Sequence, residues 1–230
     1  MATWKEIWNS RNISLQNNDL LSELIRLDGF DTEHGKVSKE EWLNYNKKIA
    51  QMVSLNNTDS IFEVGCGSGA FLYPFHAGGH TVGGIDYSHS LIDAACSLWA
   101  ENKVSACEAI DLSISERYDI VLSNGVFLYF PDHDYAEKVL EKMIQKSKRV
   151  IAILEVPDEA KFHESESMRK KMIGEEEYRK KYSSLKHLQF SRQWFSDIAK
   201  KHGLSIEIHD QCIDDYKNGK FRFNCILKKK

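Results

Sequence analysis

Ile61-Phe62-Glu63-Val64-Gly65-Cys66-Gly67-Ser68-Gly69-Ala70-Phe71-Leu72-Tyr73 is an apolar run that breaks in a glycine-rich turn and then resumes. A buried strand that feeds a helix through a tight loop reads this way. Glycine lets the backbone take angles closed to other residues and come close to a bound nucleotide. A helix starting just beyond the loop is expected to offer free N–H groups to that ligand. Glu63 stands out, because an unpaired carboxylate inside an apolar strand costs on the order of several kcal/mol. It therefore demands a partner.

Gly65-Cys66-Gly67-Ser68-Gly69-Ala70 also satisfies the relaxed dinucleotide pattern G-x-G-x-x-G/A, so the loop alone does not decide the ligand. Two further segments narrow the choice. Gly83-Gly84-Ile85-Asp86 ends a second apolar run on an acid suited to capturing two ribose hydroxyls. Tyr118-Asp119-Ile120-Val121-Leu122-Ser123-Asn124-Gly125 is a strand that stops in a polar, turn-prone pair. With Glu63, these segments resemble the class I S-adenosylmethionine-dependent methyltransferases, closely over about residues 59–156 and more loosely beyond.

The resemblance implies S-adenosylmethionine as cofactor and assigns roles by position. Glu63 would pair with the methionyl ammonium, and Gly65, Cys66, Gly67 and Gly69 would form the cofactor loop. Asp86 would hold the ribose, Tyr87 would pack on the adenine, Glu108, Ala109 and Ile110 would flank the base, and Asn124 and Gly125 would border the methionyl part. An NAD(P)-dependent oxidoreductase would share the loop and Asp86 but leaves Glu63 unexplained. Such an enzyme would also be expected to carry a catalytic Tyr-x-x-x-Lys pair near the fifth strand, and none is evident there. A non-catalytic S-adenosylmethionine-binding module is the third reading.

Around this centre the chain has 230 residues, enough for one domain with a sizeable core plus decoration. Lys and Arg total 31 against 34 Asp and Glu, a formal charge of −3. No broad basic surface points to nucleic acid, and no apolar stretch nears the roughly 18 residues of a membrane span. The expectation is a soluble cytoplasmic enzyme acting on a small molecule, without nucleic-acid or membrane partners; its oligomeric state stays open. The five cysteines are scattered without a C-x-x-C pair and read as free thiols, and no metal site is expected.

Residues 1–57 read as a helical prefix, with Ser38-Lys39-Glu40-Glu41 as a capping box that opens a helix bearing Trp42, Tyr45 and Ile49. Residues 28–35 form a loop there, a connector or a lid carrying Phe30, Asp31 and His34. From 58 to 230 the pattern is α/β: strands near 60–65, 80–86, 103–108, 118–123 and 148–156 alternate with helices capped by Ser88 and Asp132. A Lys- and Glu-rich helical insertion at about 157–190 follows, placed to cap the substrate side with Phe162, His163, Met172 and Tyr182. Strands at 204–211 and 221–227, around a hairpin-type Asn218-Gly219 turn, complete a seven-stranded, mostly parallel sheet with helices on both faces and an antiparallel C-terminal strand. In the family the resemblance points to, that last strand inserts between strands five and six.

The substrate side is read from a shorter set. Phe127 and Tyr129 leave the fourth strand at the reactive edge, Phe30 lies on the candidate lid, and Arg222 falls at the end of the last strand that reaches the ligand edge. Arg222 is expected to bind an acceptor carboxylate or phosphate, or else an internal acid such as Asp214 or Asp215. His133, His163 and Tyr129, with His34, are the candidates for proton transfer. Asn124-Gly125-Val126-Phe127 replaces the Asn-Pro-Pro-Tyr expected of a methyltransferase acting on nucleic-acid bases.

Overall fold

Strands β1 (Ile61–Val64), β2 (Val82–Asp86), β3 (Val104–Ala106), β4 (Tyr118–Asn124), β5 (Ser147–Pro157), β6 (Ser205–Asp210) and β7 (Arg222–Lys228) form one sheet. Its order is β3-β2-β1-β4-β5-β7-β6. These positions come from a computed structural model that describes residues 4–10, 19–30, 36–99, 103–182 and 185–230. Pairings among β1 to β5 are parallel, whereas β7 runs antiparallel between β5 and β6. The order reverses direction between β1 and β4, the place where such sheets open a crevice beyond their carboxyl ends.

Both faces of the sheet are covered, and the central strands are accordingly apolar on both sides. On β5, Val150, Ala152 and Leu154 face one core with helices α2 (Leu20–Leu27) and α3 (Lys39–Met52). Ile151 and Ile153 face the other, with α6 (His133–Lys146) and α9 (Arg192–Lys201). Residues of the N-terminal prefix, among them Leu24, Trp42, Tyr45 and Ile49, share the first core with Ile61, Ile120 and Ile226. Ser38 makes the full capping box with Glu41, and Ser88 and Asp132 accept from Leu91 and Tyr135 amides.

The remaining helices are α1 (Trp4–Asn9), α4 (Tyr73–Ala77), α5 (His89–Leu98), α7 (Phe162–Ile173) and α8 (Glu175–Tyr182). The last two form the insertion after β5. Two expectations fail locally. The connection from β6 to β7 runs from 211 to 221, and Asn218 keeps a φ of −80°, opening a 3-10 turn where a hairpin of the Asn-Gly kind needs positive φ. The helix after the glycine loop begins only at Tyr73, with Pro74 in its first turn.

Candidate active site

A cleft of about 650 Å³ opens at the carboxyl edge of the sheet. Gly65, Cys66 and Gly67 from the glycine loop, Asp86 and Tyr87 from the end of β2, and Asn124 and Gly125 from the end of β4 line it, with Glu63 of β1 beneath. Cys107, Glu108 and Ala109 border the β3 side. Gly69 and Ile110 do not reach it. A Cβ at Gly69 would overlap the Trp99 ring, so that glycine serves packing; Ile110 sits in the core behind, its amide donating to Tyr135 Oη at 3.3 Å. The Cys66 thiol is buried and pushed well above its usual range, an inert group.

The loop amides do not wait for an anion. Ser68 N and Ala70 N donate to the Asp28 carboxylate at 2.6 and 3.1 Å, and Gly67 N donates to Asp86 at 2.9 Å. Asp28 ends α2, and a Cβ on Gly67, whose φ is +53°, would collide with it. Glycine is required there for both reasons. Asp86 also accepts from Ser88 N at 2.8 Å, so its carboxylate ties the loop to the start of α5.

Three acids thus converge under the loop. Glu63 is 2% exposed, and among the described residues its Oε2 meets no hydrogen-bond donor. Burial, with Asp28 and Asp86 close by, pushes its carboxyl well above the ordinary range. Asp28 is raised to about 7, chiefly by burial against its loop hydrogen bonds, and Asp86 is raised for the same reason. No described residue supplies the partner that Glu63 demands. A cationic, hydrogen-donating ligand is the complement of this end of the cleft, and a pyrophosphate is not, since like charges repel and the amides that would cradle it are taken.

The opposite end is aromatic and carries guanidinium groups. Trp4 and Trp8 of α1, Tyr129, Tyr182 and Tyr216 line it with Phe30, which packs on Trp42 at 4.6 Å between centroids. Helix α1 spans the mouth: Lys5 pairs with Glu108, Tyr87 Oη reaches Trp4 O at 3.5 Å, and Trp4 Nε1 donates to Lys186 O at 3.2 Å. Arg222 lines the wall with its side chain 11% exposed. Its carboxylate neighbour is Glu155, Nε to Oε1 3.6 Å, and neither Asp214 nor Asp215. Glu155 is buried, holds the left-handed φ of +60°, and also accepts from Tyr216 Oη at 2.8 Å and from Gln211 Nε2.

The expected proton-transfer histidines are elsewhere. His133 is exposed, its Nε2 2.9 Å from Gln189 O and its ring against Phe190. His163 is exposed beside Phe162, and neither of those two faces the cleft. Phe127 is fully buried against Phe190 and Phe195 and forms core instead of substrate wall. Asp31 and His34 lie outside the described residues. Tyr129, Phe30, Met172 and Tyr182 do line the cleft. Among the described residues the histidine that does so is His187, stacked on Trp4 at 4.7 Å and 14°, which no sequence pattern marked.

Residues 62–148 match the family model described as "Methyltransferase domain". An uncharacterized protein of Haemophilus influenzae is 24% identical over 114 residues, 49% of this chain and 42% of its own length. The nonribosomal peptide synthetase dtxS1 of Metarhizium robertsii is 26% identical over 145 residues, 59% of this chain and 2% of that protein. The chain therefore spans less than half the length of either relative. Magnesium protoporphyrin IX methyltransferase ChlM from Synechocystis PCC 6803, solved with bound SAH, superposes with a TM-score of 0.62 at 16% identity. That match covers 98% of this chain and 94% of ChlM. Among the described residues no helix is long and apolar enough to cross a membrane, and no cluster of three or more His, Cys, Asp or Glu is placed to hold a metal ion.

Proposed function

We infer, from a chain that carries the class I, Rossmann-like fold of S-adenosylmethionine-dependent methyltransferases, that it is such an enzyme and methylates an O or N atom of a small, anionic acceptor. The observation that supports this most is the orphaned carboxylate oxygen of Glu63, buried with two further acids under the glycine loop. S-adenosylmethionine carries an ammonium and a sulfonium, and bound here it supplies an already activated methyl group. Glu63 receives the ammonium, Gly65 and Gly67 let the backbone approach, and Asp86 offers its remaining lone pairs to the ribose hydroxyls. Tyr87, Glu108 and Ala109 border the base, and Asn124 and Gly125 the methionyl part.

The chain's own work is to align donor and acceptor and to exclude water. Helix α1, with Trp4 and Trp8, covers the cleft for that purpose, and Tyr129 and Arg222 present themselves to the acceptor. His187 lies 3.5 Å from an arginine nitrogen through Nδ1, so it acts as an acceptor there and carries its proton on Nε2. It is no proton taker. The acceptor must then bring its own lone pair, as a neutral amine or an already ionised oxygen does. We place the enzyme in the cytoplasm, working on small molecules without nucleic-acid or membrane partners.

Release of S-adenosylhomocysteine from S-adenosylmethionine, assayed with pools of small amino and hydroxy acids, tests this reading. Turnover is expected, with Asp86→Ala lowering kcat/KM for the cofactor by about tenfold or more, the scale of one lost charge-assisted hydrogen bond. Turnover that Asp86→Ala leaves intact contradicts the placement of the cofactor.

A further inference from the structure

We propose that the acceptor is a small aromatic carboxylate whose anionic group is held between two arginines from different elements, Arg222 of β7 and Arg169 of α7, with His187 donating to it from Nε2. The inference rests on the functional reading above and extends it by naming the acceptor's chemistry and a recognition arm in the insertion.

Arg169 lines the cleft and is fixed without a carboxylate. Its Nε and Nη2 donate to Ser165 O and Oγ at 3.3 and 2.7 Å, and its guanidinium lies 5.6 Å above the Tyr182 ring. Among the described residues no Asp or Glu pairs with it. Arg222 is nearly buried, yet its terminal nitrogens make no hydrogen bond to the described protein. Its acidic partner among the described residues, Glu155, is shared with Tyr216 and Gln211. Buried guanidinium groups ordinarily find matched acceptors. The left-handed backbone at Glu155, where the β5–β7 register breaks between Ile153 and Val156, is local strain of the kind that persists at ligand sites.

His187 joins the two cations. Both arginines depress its basicity, after burial, so it stays neutral across the physiological range. With Nδ1 facing Arg169, the Nε2 N–H is a buried donor that meets no acceptor among the described residues. Two guanidinium charges against one carboxylate leave this end of the cleft one negative charge short. That balance suits a monoanionic carboxylate better than a dianionic phosphate. The rings of Trp4, Tyr129 and Tyr182 around the same space suit a flat aromatic body.

The test uses the full chain saturated with S-adenosylhomocysteine, and benzoate, benzamide and phenylphosphate as probes, read by ligand-observed NMR and calorimetry. Benzoate is expected to bind, benzamide not, and Arg169→Gln and Arg222→Gln each to weaken benzoate by about tenfold or more, as loss of one arm of a charge-assisted clamp does. S-adenosylhomocysteine affinity should stay at the wild-type level in Arg169→Gln, which also certifies that this variant is folded. His187→Phe keeps the ring stack and should weaken benzoate without touching cofactor affinity. Absence of benzoate binding, equal binding of benzamide, insensitivity to Arg169→Gln, or preference for phenylphosphate overturns the proposal. Failure of S-adenosylhomocysteine itself to bind sinks the cofactor reading instead, and benzoate titrated into the ligand-free protein then decides the arginine clamp by itself.

Discussion

Asp28 holds the glycine loop by accepting from Ser68 and Ala70, and it does so with a carboxyl whose pKa is raised from 3.8 to about 7. A raised folded-state pKa means that the native protein binds the proton more tightly than the unfolded chain does. The associated stability is complete below about pH 4 and is lost as pH climbs through about 7. The loss is bounded by about 4 kcal/mol, with Glu63 shifted in the same direction. Urea unfolding of the ligand-free protein should therefore show lower stability at pH 8 than at pH 6, and Asp28→Asn, which mimics the protonated acid, should flatten that slope. A slope unchanged in Asp28→Asn would remove Asp28 from the explanation. At this scale the sequence told part of the story. Glu63 is conspicuous because a charge interrupts an apolar strand, but Asp28 lies 40 residues from Ser68, and nothing local ties them. His187 was invisible for the same reason: a single histidine in a polar insertion has no period or spacing to betray it.

Among the elements, α1 carries a consequence for ligand exchange. Its six residues are too few to be stable as a free helix. They are held by Trp4 on His187, the Trp4 Nε1 bond to Lys186 O, and Lys5 on Glu108. A short surface element that depends on such side-chain contacts opens at lower cost than the core strands. Trp4→Ala should raise the dissociation rate of S-adenosylhomocysteine by about tenfold in stopped-flow, since a buried aromatic anchor is lost from a closing segment. Lys5→Ala should change it by no more than about twofold, because an exposed ion pair contributes little. Equal effects of the two would mean that α1 acts through charge and not as a cover. The sequence pointed to the helical prefix and offered 28–35, as a connector or a lid, and the insertion as covers of the cleft; a six-residue helix is too short to show an apolar stripe. The capped helices α3, α5 and α6 were legible because Ser38, Ser88 and Asp132 announce their starts chemically.

At the scale of the whole molecule the sheet order follows from rules of connection. Five strands alternating with helices leave few right-handed arrangements, and the carboxyl ends of β1, β2 and β4 then meet at one edge. Glu63, Asp86 and Asn124 come together there because their strands do, which is why this half of the cleft could be read in advance. The other half is built by α1, α7 and the 185–190 segment, whose docking depends on side-chain packing that no strand rule governs. The result is a cleft with an acidic end under the glycine loop and an arginine end against the insertion. Calorimetry of S-adenosylmethionine, S-adenosylhomocysteine and NADH with the wild type and Glu63→Gln probes the acidic end most directly. Micromolar binding of both sulfur ligands, weakened about tenfold or more by Glu63→Gln, with no binding of NADH, is the expected result. Absence of sulfur-ligand binding, preference for NADH, or wild-type affinity in Glu63→Gln would contradict it.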